Sequence, residues 1–232
     1  MNHVENLELL KLYEGLRVAD IRDGMDWVGY HHYGSVDPKF RPLFTGPTVI
    51  GIAKTARFLP YEGPSSQLSP EEYTEWVADQ LANPGPAGDF WSSTQPGDFM
   101  CLDLADTDVG MIGSANSLWL KSMGCVGYLL NGAARDIDEI ILQKIPTWPK
   151  FVAQTGAAFR VEFCEADVPI AIGGVAIRPG DIVAGDSDGV IIVPRKIARD
   201  VEKWARKENI KDRADRKHHY TLLGMELDET VI

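Results

Sequence analysis

Residues 96–138, PGDFMCLDLADTDVGMIGSANSLWLKSMGCVGYLLNGAARDID, decide how the rest of the chain is read. Two short apolar runs have the length and boundaries of buried strands: 99–102, after a Pro-Gly turn signal, and 126–130, between Gly124 and Asn131-Gly132. Between them Ser114 can cap a helix, and Ala115, Leu118, Trp119, Ser122 and Met123 recur at helical spacing as its apolar face. Gly124 supplies the stop. Strand, loop, helix, strand and turn make a βαβ unit.

A parallel crossover is right-handed, and ligands of open α/β sheets collect at the carboxyl ends of the strands. The polar residues of this stretch fall at those ends. Behind the first strand, the backbone N–H groups of Ser114, Ala115 and Asn116 stand at the positive end of the helix dipole and suit a carboxylate or phosphate. Behind the second come Arg135, whose planar fork matches a carboxylate, and Asp136, whose oxygens suit a hard divalent cation. Together they fit an oxo-acid clamped by its carboxylate while a metal polarises the keto oxygen. Neighbouring Arg and Asp on a surface turn are also an ordinary solvated pair, and spacing alone does not separate the two readings.

At 232 residues and 44% hydrophobic composition the chain can build one sizeable core, which predicts a single domain over 1–232. A net charge of -11 argues against general nucleic-acid or membrane binding, so an acidic substrate would have to be captured locally. No apolar run approaches membrane-spanning length, and MNHVENLELL carries acids where a signal peptide has bases; the expected location is the cytoplasm. Cys101, Cys125 and Cys164 lie in apolar contexts without metal-type spacing and read as buried, reduced thiols.

Along the chain, 7–28 reads as helix with an interruption near Gly15, and adjacent His31 and His32 fall in a turn-rich segment as loop residues. Residues 48–58 alternate as a strand. The segment 60–95 is framed by Pro and Gly, with a helix inside it: Ser69 and Glu72 form a capping box, Pro70 fits the first turn, and Tyr73, Trp76, Val77 and Leu81 make one stripe. Lid, subunit contact and extra packing all suit such a helix. Past the central unit come a short helix over 140–145, strands at 147–153 and 159–164, a hairpin about Gly173-Gly174, and strands 182–184 and 190–193 around GDSDG. That DSDG segment lacks the spacing of a calcium loop and reads as a tight turn. A long helix then runs from about 196 to 223 and stops at Gly224, its second half dense in both charges.

GYLLNGAARDIDE, GGVAIRPGDIVAGDSDGVIIVP, Gly113 and the helix after it together resemble the family of 4-hydroxy-4-methyl-2-oxoglutarate aldolase and regulator of ribonuclease activity A. The likeness runs from Val18-Ala19-Asp20 to the C-terminal helix, interrupted by a helical insertion at about 60–95. The family pattern is an acidic residue, twenty intervening residues, Arg-Asp, and an acid after two more. Arg135, Asp136 and Glu139 match it; Ser114 stands at the first acidic position, and Asn131 where the family usually has Asp. The resemblance implies an α/β fold of the swivelling β/β/α sandwich type, with a central βαβ unit and a long C-terminal helix, assembled as a trimer or a pair of trimers. It also implies a lyase, a class II pyruvate aldolase or oxaloacetate decarboxylase, that uses Mg²⁺ or Mn²⁺ as Lewis acid for an enolate.

On that analogy Arg135 binds the pyruvyl carboxylate with the amides near Ser114, Ala115 and Asn116. Asp136 holds the metal, and a C-terminal acid of a neighbouring protomer completes it, Glu208 or Asp212. With Ser114 in place of the acid, proton transfer lacks its usual group. Two other readings stand beside the lyase: a non-catalytic regulatory binding protein, and a divergent enzyme acting on another carbonyl substrate.

Overall fold

In the computed structural model, which describes residues 3–46, 48–64 and 67–231, the N-terminal helix is two, α1 (His3–Tyr13) and α2 (Val18–Trp27), broken at Gly15 with φ of 76°. A strand, β1 (Val49–Pro60), follows, then α3 (Pro70–Ala82) and α4 (Gly85–Ser92). The capping box forms as its residues dictate, Glu72 N–H on Ser69 Oγ at 3.2 Å and Ser69 N–H on Glu72 Oε2 at 2.7 Å. Of the predicted stripe, Trp76 and Val77 are half-buried and Tyr73 is exposed, while the Leu81 side chain lies outside the description. Helix α4, formed within the C-terminal part of the Pro-Gly frame, was not foreseen; Pro86 falls in its first turn, where its missing N–H costs nothing.

The central unit comprises β2 (Asp98–Asp103), β3 (Gly110–Ile112), α5 (Ser114–Ser122) and β4 (Gly127–Ala134). Strands β2 and β4 are parallel neighbours, Phe99 opposite Gly127 and Asp103 opposite Asn131, as the βαβ reading requires. Three-residue β3, not foreseen, continues beside the end of β4. Next come α6 (Ile137–Leu142), the edge strand β5 (Thr147–Val152), β6 (Val161–Ala166), the hairpin β7 (Ile170–Ile172) and β8 (Val175–Ile177), then β9 (Ile182–Asp186), β10 (Gly189–Val193) and α7 (Ala198–Leu223). Gly173 and Gly174, with φ of 54° and 81°, make the two-residue hairpin turn. In the β9–β10 turn Asp186 Oδ1 accepts from Asp188 N–H at 2.9 Å, the backbone role expected of DSDG.

The sheet runs β10-β9-β1-β2-β4, flanked by β5 and β3 at β4 and by β6 at β1. On one face, Ile52, Ile182, Ala184, Ile191 and Val193 meet α1, α2 and α7, while Met100, Leu102, Tyr128 and Leu130 meet Leu120 of α5 and Ile140 of α6. The other face, Phe99, Cys101, Leu129, Val183 and Ile192, packs against the β7–β8 hairpin and Trp148. Hairpin, sheet and helices are the three layers of the expected β/β/α sandwich, closed by the long α7. None of the described helices is long and apolar enough to cross a membrane.

Three local expectations are corrected. Gly113, not Ser114, is the N-cap of α5. The buried face of that helix carries Ser117 and Leu120, so the predicted stripe points outward, with Leu118 and Trp119 at 43% and 47% exposure. Leu142 of α6 joins them on the surface at 83%. Finally, Cys101 and Cys125 are buried thiols but Cys164 is exposed. Strand β6 begins two residues later than expected, and its alternation buries Val161 on one face while Cys164 falls on the other.

Candidate active site

The β4 strand delivers Arg135 and Asp136 to the tip of α5. Arg135 is tied to β3 by its N–H on Ile112 O at 2.9 Å. Asp136 then turns through the left-handed region, φ 54° and ψ 46°, a conformation Asp tolerates better than most residues, and opens α6. That turn swings its carboxylate back onto α5: Oδ2 accepts from Ser114 N–H at 3.1 Å and from Ser114 Oγ–H at 3.3 Å. The Ser114 backbone hydrogen bond, helped by the Arg135 guanidinium, holds the Asp136 carboxyl below the usual carboxylate range.

Two glycines make this approach possible. A Cβ on Gly113 would stand 2.6 Å from Asp136 Oδ2 and 3.1 Å from Arg135 Cγ, and one on Gly110 would stand 2.8 Å from Arg135 Cβ. Asn116 fixes the helix tip between them, its Oδ1 accepting from Gly113 N–H and its Nδ2 donating to Met111 O, both at 2.8 Å.

The corner is open. Arg135 touches Asp136 only through Nε at 3.4 Å, and among the described residues both Nη atoms lack a protein hydrogen bond; the two side chains are 42% and 35% exposed. The Ala115 and Asn116 N–H groups at the helix tip likewise have no protein acceptor among the described residues. A shallow cleft of about 470 Å³ fronts the pair, walled by Val152, Ala153 and Gln154. A larger cavity of about 780 Å³ lies between the α1–α2 turn, the β9–β10 turn and α7. Three of the charged side chains lining it are already engaged: Arg17 with Asp20, Arg216 with Asp212, and Asp186 with Val18 N–H and Thr48 Oγ1–H.

Arg135, Asp136, Ser114, Ala115 and Asn116 thus come together as predicted. Glu208 does not join them within one protomer. Its Oε1 accepts from Trp27 Nε1–H at 3.0 Å on α2, and Asp212 lies between Arg17 and Arg216. No cluster of three or more His, Cys, Asp or Glu side chains of metal-binding arrangement occurs among the described residues. One carboxylate, held ionised and half-exposed, is nevertheless an adequate protein donor for Mg²⁺, which keeps most of its waters. Asn131 has a local reason: it lies opposite Asp103 and donates to its Oδ1 at 2.9 Å, where an Asp would set two carboxylates face to face.

A three-layer β/β/α fold with an Arg-Asp corner at a helix tip defines a class of protein, and comparison with known families is consistent with it. The RraA-like family described as Aldolase/RraA matches residues 18–192, and the chain belongs to that family. A protein of Halalkalibacterium halodurans named "Putative 4-hydroxy-4-methyl-2-oxoglutarate aldolase" is 34% identical over 122 residues, 51% of this chain and 57% of that one. The matched region therefore spans little more than half of that relative. Among solved structures, an uncharacterized protein from Pseudomonas syringae pv. tomato superposes with a TM-score of 0.71 at 22% identity, covering 97% of this chain and 98% of that one. Streptomyces coelicolor RraAS2, titled an unusual member of the RNase ES inhibitor RraA family, gives 0.70 at 23% identity, covering 90% and 96%.

Proposed function

We propose that this chain is a divalent-metal-assisted lyase that cleaves or decarboxylates a 4-hydroxylated or 4-carboxylated 2-oxo-acid through a pyruvate enolate. The observation that carries the reading is the unfilled hydrogen-bonding capacity of Arg135 beside an ionised Asp136 at the tip of α5. Arg135 binds the C1 carboxylate through its Nη atoms, and the Ala115 and Asn116 amides add donors on the same side. Asp136 is the residue that would hold Mg²⁺ or Mn²⁺, which when bound supplies Lewis acidity to the keto oxygen. Ser114 donates to Asp136 rather than competing with it as a second carboxylate, keeping Asp136 charged while offering no acid of its own.

The protein assembles as a trimer or a pair of trimers, with the outward apolar residues Leu118, Trp119, Ile141 and Leu142 at subunit contacts and Glu208 completing the site across a boundary. The support is the exposure of those apolar side chains on α5 and α6, the two helices that begin at the corner. It also favours a second reading, in which the same face docks a regulatory protein partner and the corner is not catalytic.

Incubation with oxaloacetate and with 4-hydroxy-2-oxo-acids, following pyruvate release with and without chelator, separates the two. Metal-dependent pyruvate formation is expected; its absence across the panel eliminates the lyase.

A further inference from the structure

A cavity of about 450 Å³ lies at the far end of α6 from the Arg135 corner, between residues 42–46, Val49, the end of α6 and the start of β5. That volume falls within the range of small-molecule sites. Its wall is mostly apolar: Pro42, Phe44, Val49, Ile141, Pro146 and Trp148. Trp148 is held in place, 2% exposed, with Nε1–H on Asp186 O at 3.1 Å and its ring beside Phe99 at 5.7 Å. On the other side Leu43 N–H donates to Thr147 O at 3.1 Å, so both walls are anchored to the sheet.

Four polar side chains complete the wall. Thr147 Oγ1–H donates to Ile145 O at 3.1 Å, and the Asp186 carboxylate accepts from Val18 N–H at 3.0 Å, Thr48 Oγ1–H at 3.1 Å and Asp188 N–H at 2.9 Å. The side chains of Thr45 and Lys144 make no hydrogen bond or ion pair among the described residues, which leaves the Lys144 ammonium as the uncompensated charge of the wall. Lys144 also holds an unusual backbone position. It follows the α6 C-cap with φ of 53° and closes the helix, its N–H on Ile141 O at 3.1 Å and Ile145 N–H on Ile140 O at 3.0 Å. Glycine is the ordinary residue there, having no Cβ to strain. The helix dipole favours a cation nearby, but other last-turn positions offer that without a left-handed backbone. Strain at this residue keeps a long cationic side chain on the rim of an apolar cavity.

We infer that this cavity is a binding site for a small monocarboxylate with an apolar, ring-sized body. The body lies against Phe44, Val49 and Trp148, where its burial is favourable, and the carboxylate meets Lys144 Nζ at the rim. A neutral apolar compound leaves the ammonium unused. A sugar or a dianion brings polar groups against a wall with little free hydrogen-bonding capacity. The site shares no residue with the Arg135 cleft and stands independently of the lyase reading.

Calorimetric titration of the full-length protein with 3-phenylpropanoate and with its neutral amide tests this. Wild type is expected to bind the acid with a Kd of about 0.1–1 mM, about tenfold more tightly than the amide. Lys144→Gly removes the cation and relaxes the left-handed backbone; it should abolish that preference and leave amide binding within about twofold, while Lys144→Arg keeps the preference. Hydrogen exchange should show the acid protecting residues 42–46 and 141–148 and leaving 113–116 unchanged. No binding of the acid up to about 10 mM, equal binding of acid and amide, or a preference that survives in Lys144→Gly would overturn the site. So would protection confined to the Arg135 corner. A neighbouring subunit filling the cavity beside Ile141 would give the first of those results.

Discussion

Two Arg-Asp pairs in this molecule use the same chemistry to opposite ends. At the start of α2, Asp20 is 1% exposed and fully engaged: Arg17 grips both its oxygens, Arg17 N–H donates at 2.9 Å, and Asn209 of α7 donates at 2.8 Å. Burial pushes its pKa up, but these hydrogen bonds outweigh burial and hold it below the usual range. Arg135 and Asp136 share one long contact at 3.4 Å, and among the described residues both Nη atoms are without a protein hydrogen bond. A closed pair pins α2 to α7; an open one keeps its interactions for a guest. The difference lies in the neighbours, not in the residues.

The contrast breaks most visibly at Asp20. Asp20→Ala strands Arg17 and Asn209 and should cost about 3–5 kcal/mol in chemical denaturation, with activity per folded molecule unchanged. Arg135→Ala should do the reverse: a loss of about a hundred- to a thousandfold in kcat/KM, with stability within about 0.5 kcal/mol of wild type. Comparable destabilisation by both variants would erase the distinction. Gly113→Ala, which sets a methyl against Asp136 Oδ2, should lower kcat/KM about tenfold with little change in secondary structure by circular dichroism.

Smallest is the effect of pH. Because the Asp20 pKa is lowered in the folded state, its contribution is present above the unfolded value near 4 and is lost as pH falls through the folded value. Stability should therefore decline below about pH 4, less steeply in Asp20→Asn. Asn131→Asp should behave oppositely, costing about 0.5–1 kcal/mol at neutral pH, where two carboxylates face each other, and recovering as they protonate.

Much of the site could be read from the chain because it rests on local rules. A short strand, a glycine, a helix start and an Arg-Asp pair at the end of the next strand place those groups at one sheet edge whatever the rest does. The outward turn of the α5 stripe was not legible, since periodicity reports an apolar face without saying what covers it. Leu118 and Trp119 took the spacing of core residues, whereas Ser117 and Leu120 took the core. Short elements also escaped notice: β3 exists only because β4 offers it a ladder. The closed Arg17-Asp20-Asn209 cluster could not be anticipated, because 189 positions separate Asp20 from Asn209.

By itself the sequence determined the order and kind of the elements apart from α4 and β3, the capping of α3, both tight turns of the β-rich half, and the meeting of Arg135 with the α5 tip. All of these follow from backbone preferences and contacts within one βαβ unit or one hairpin. Only the tertiary structure decided which Arg-Asp pair would be sealed and which left open, and that α3 would rest its Tyr73 and Trp76 rings on Phe159. Those outcomes depend on desolvation and close approach between distant segments, which no local pattern encodes.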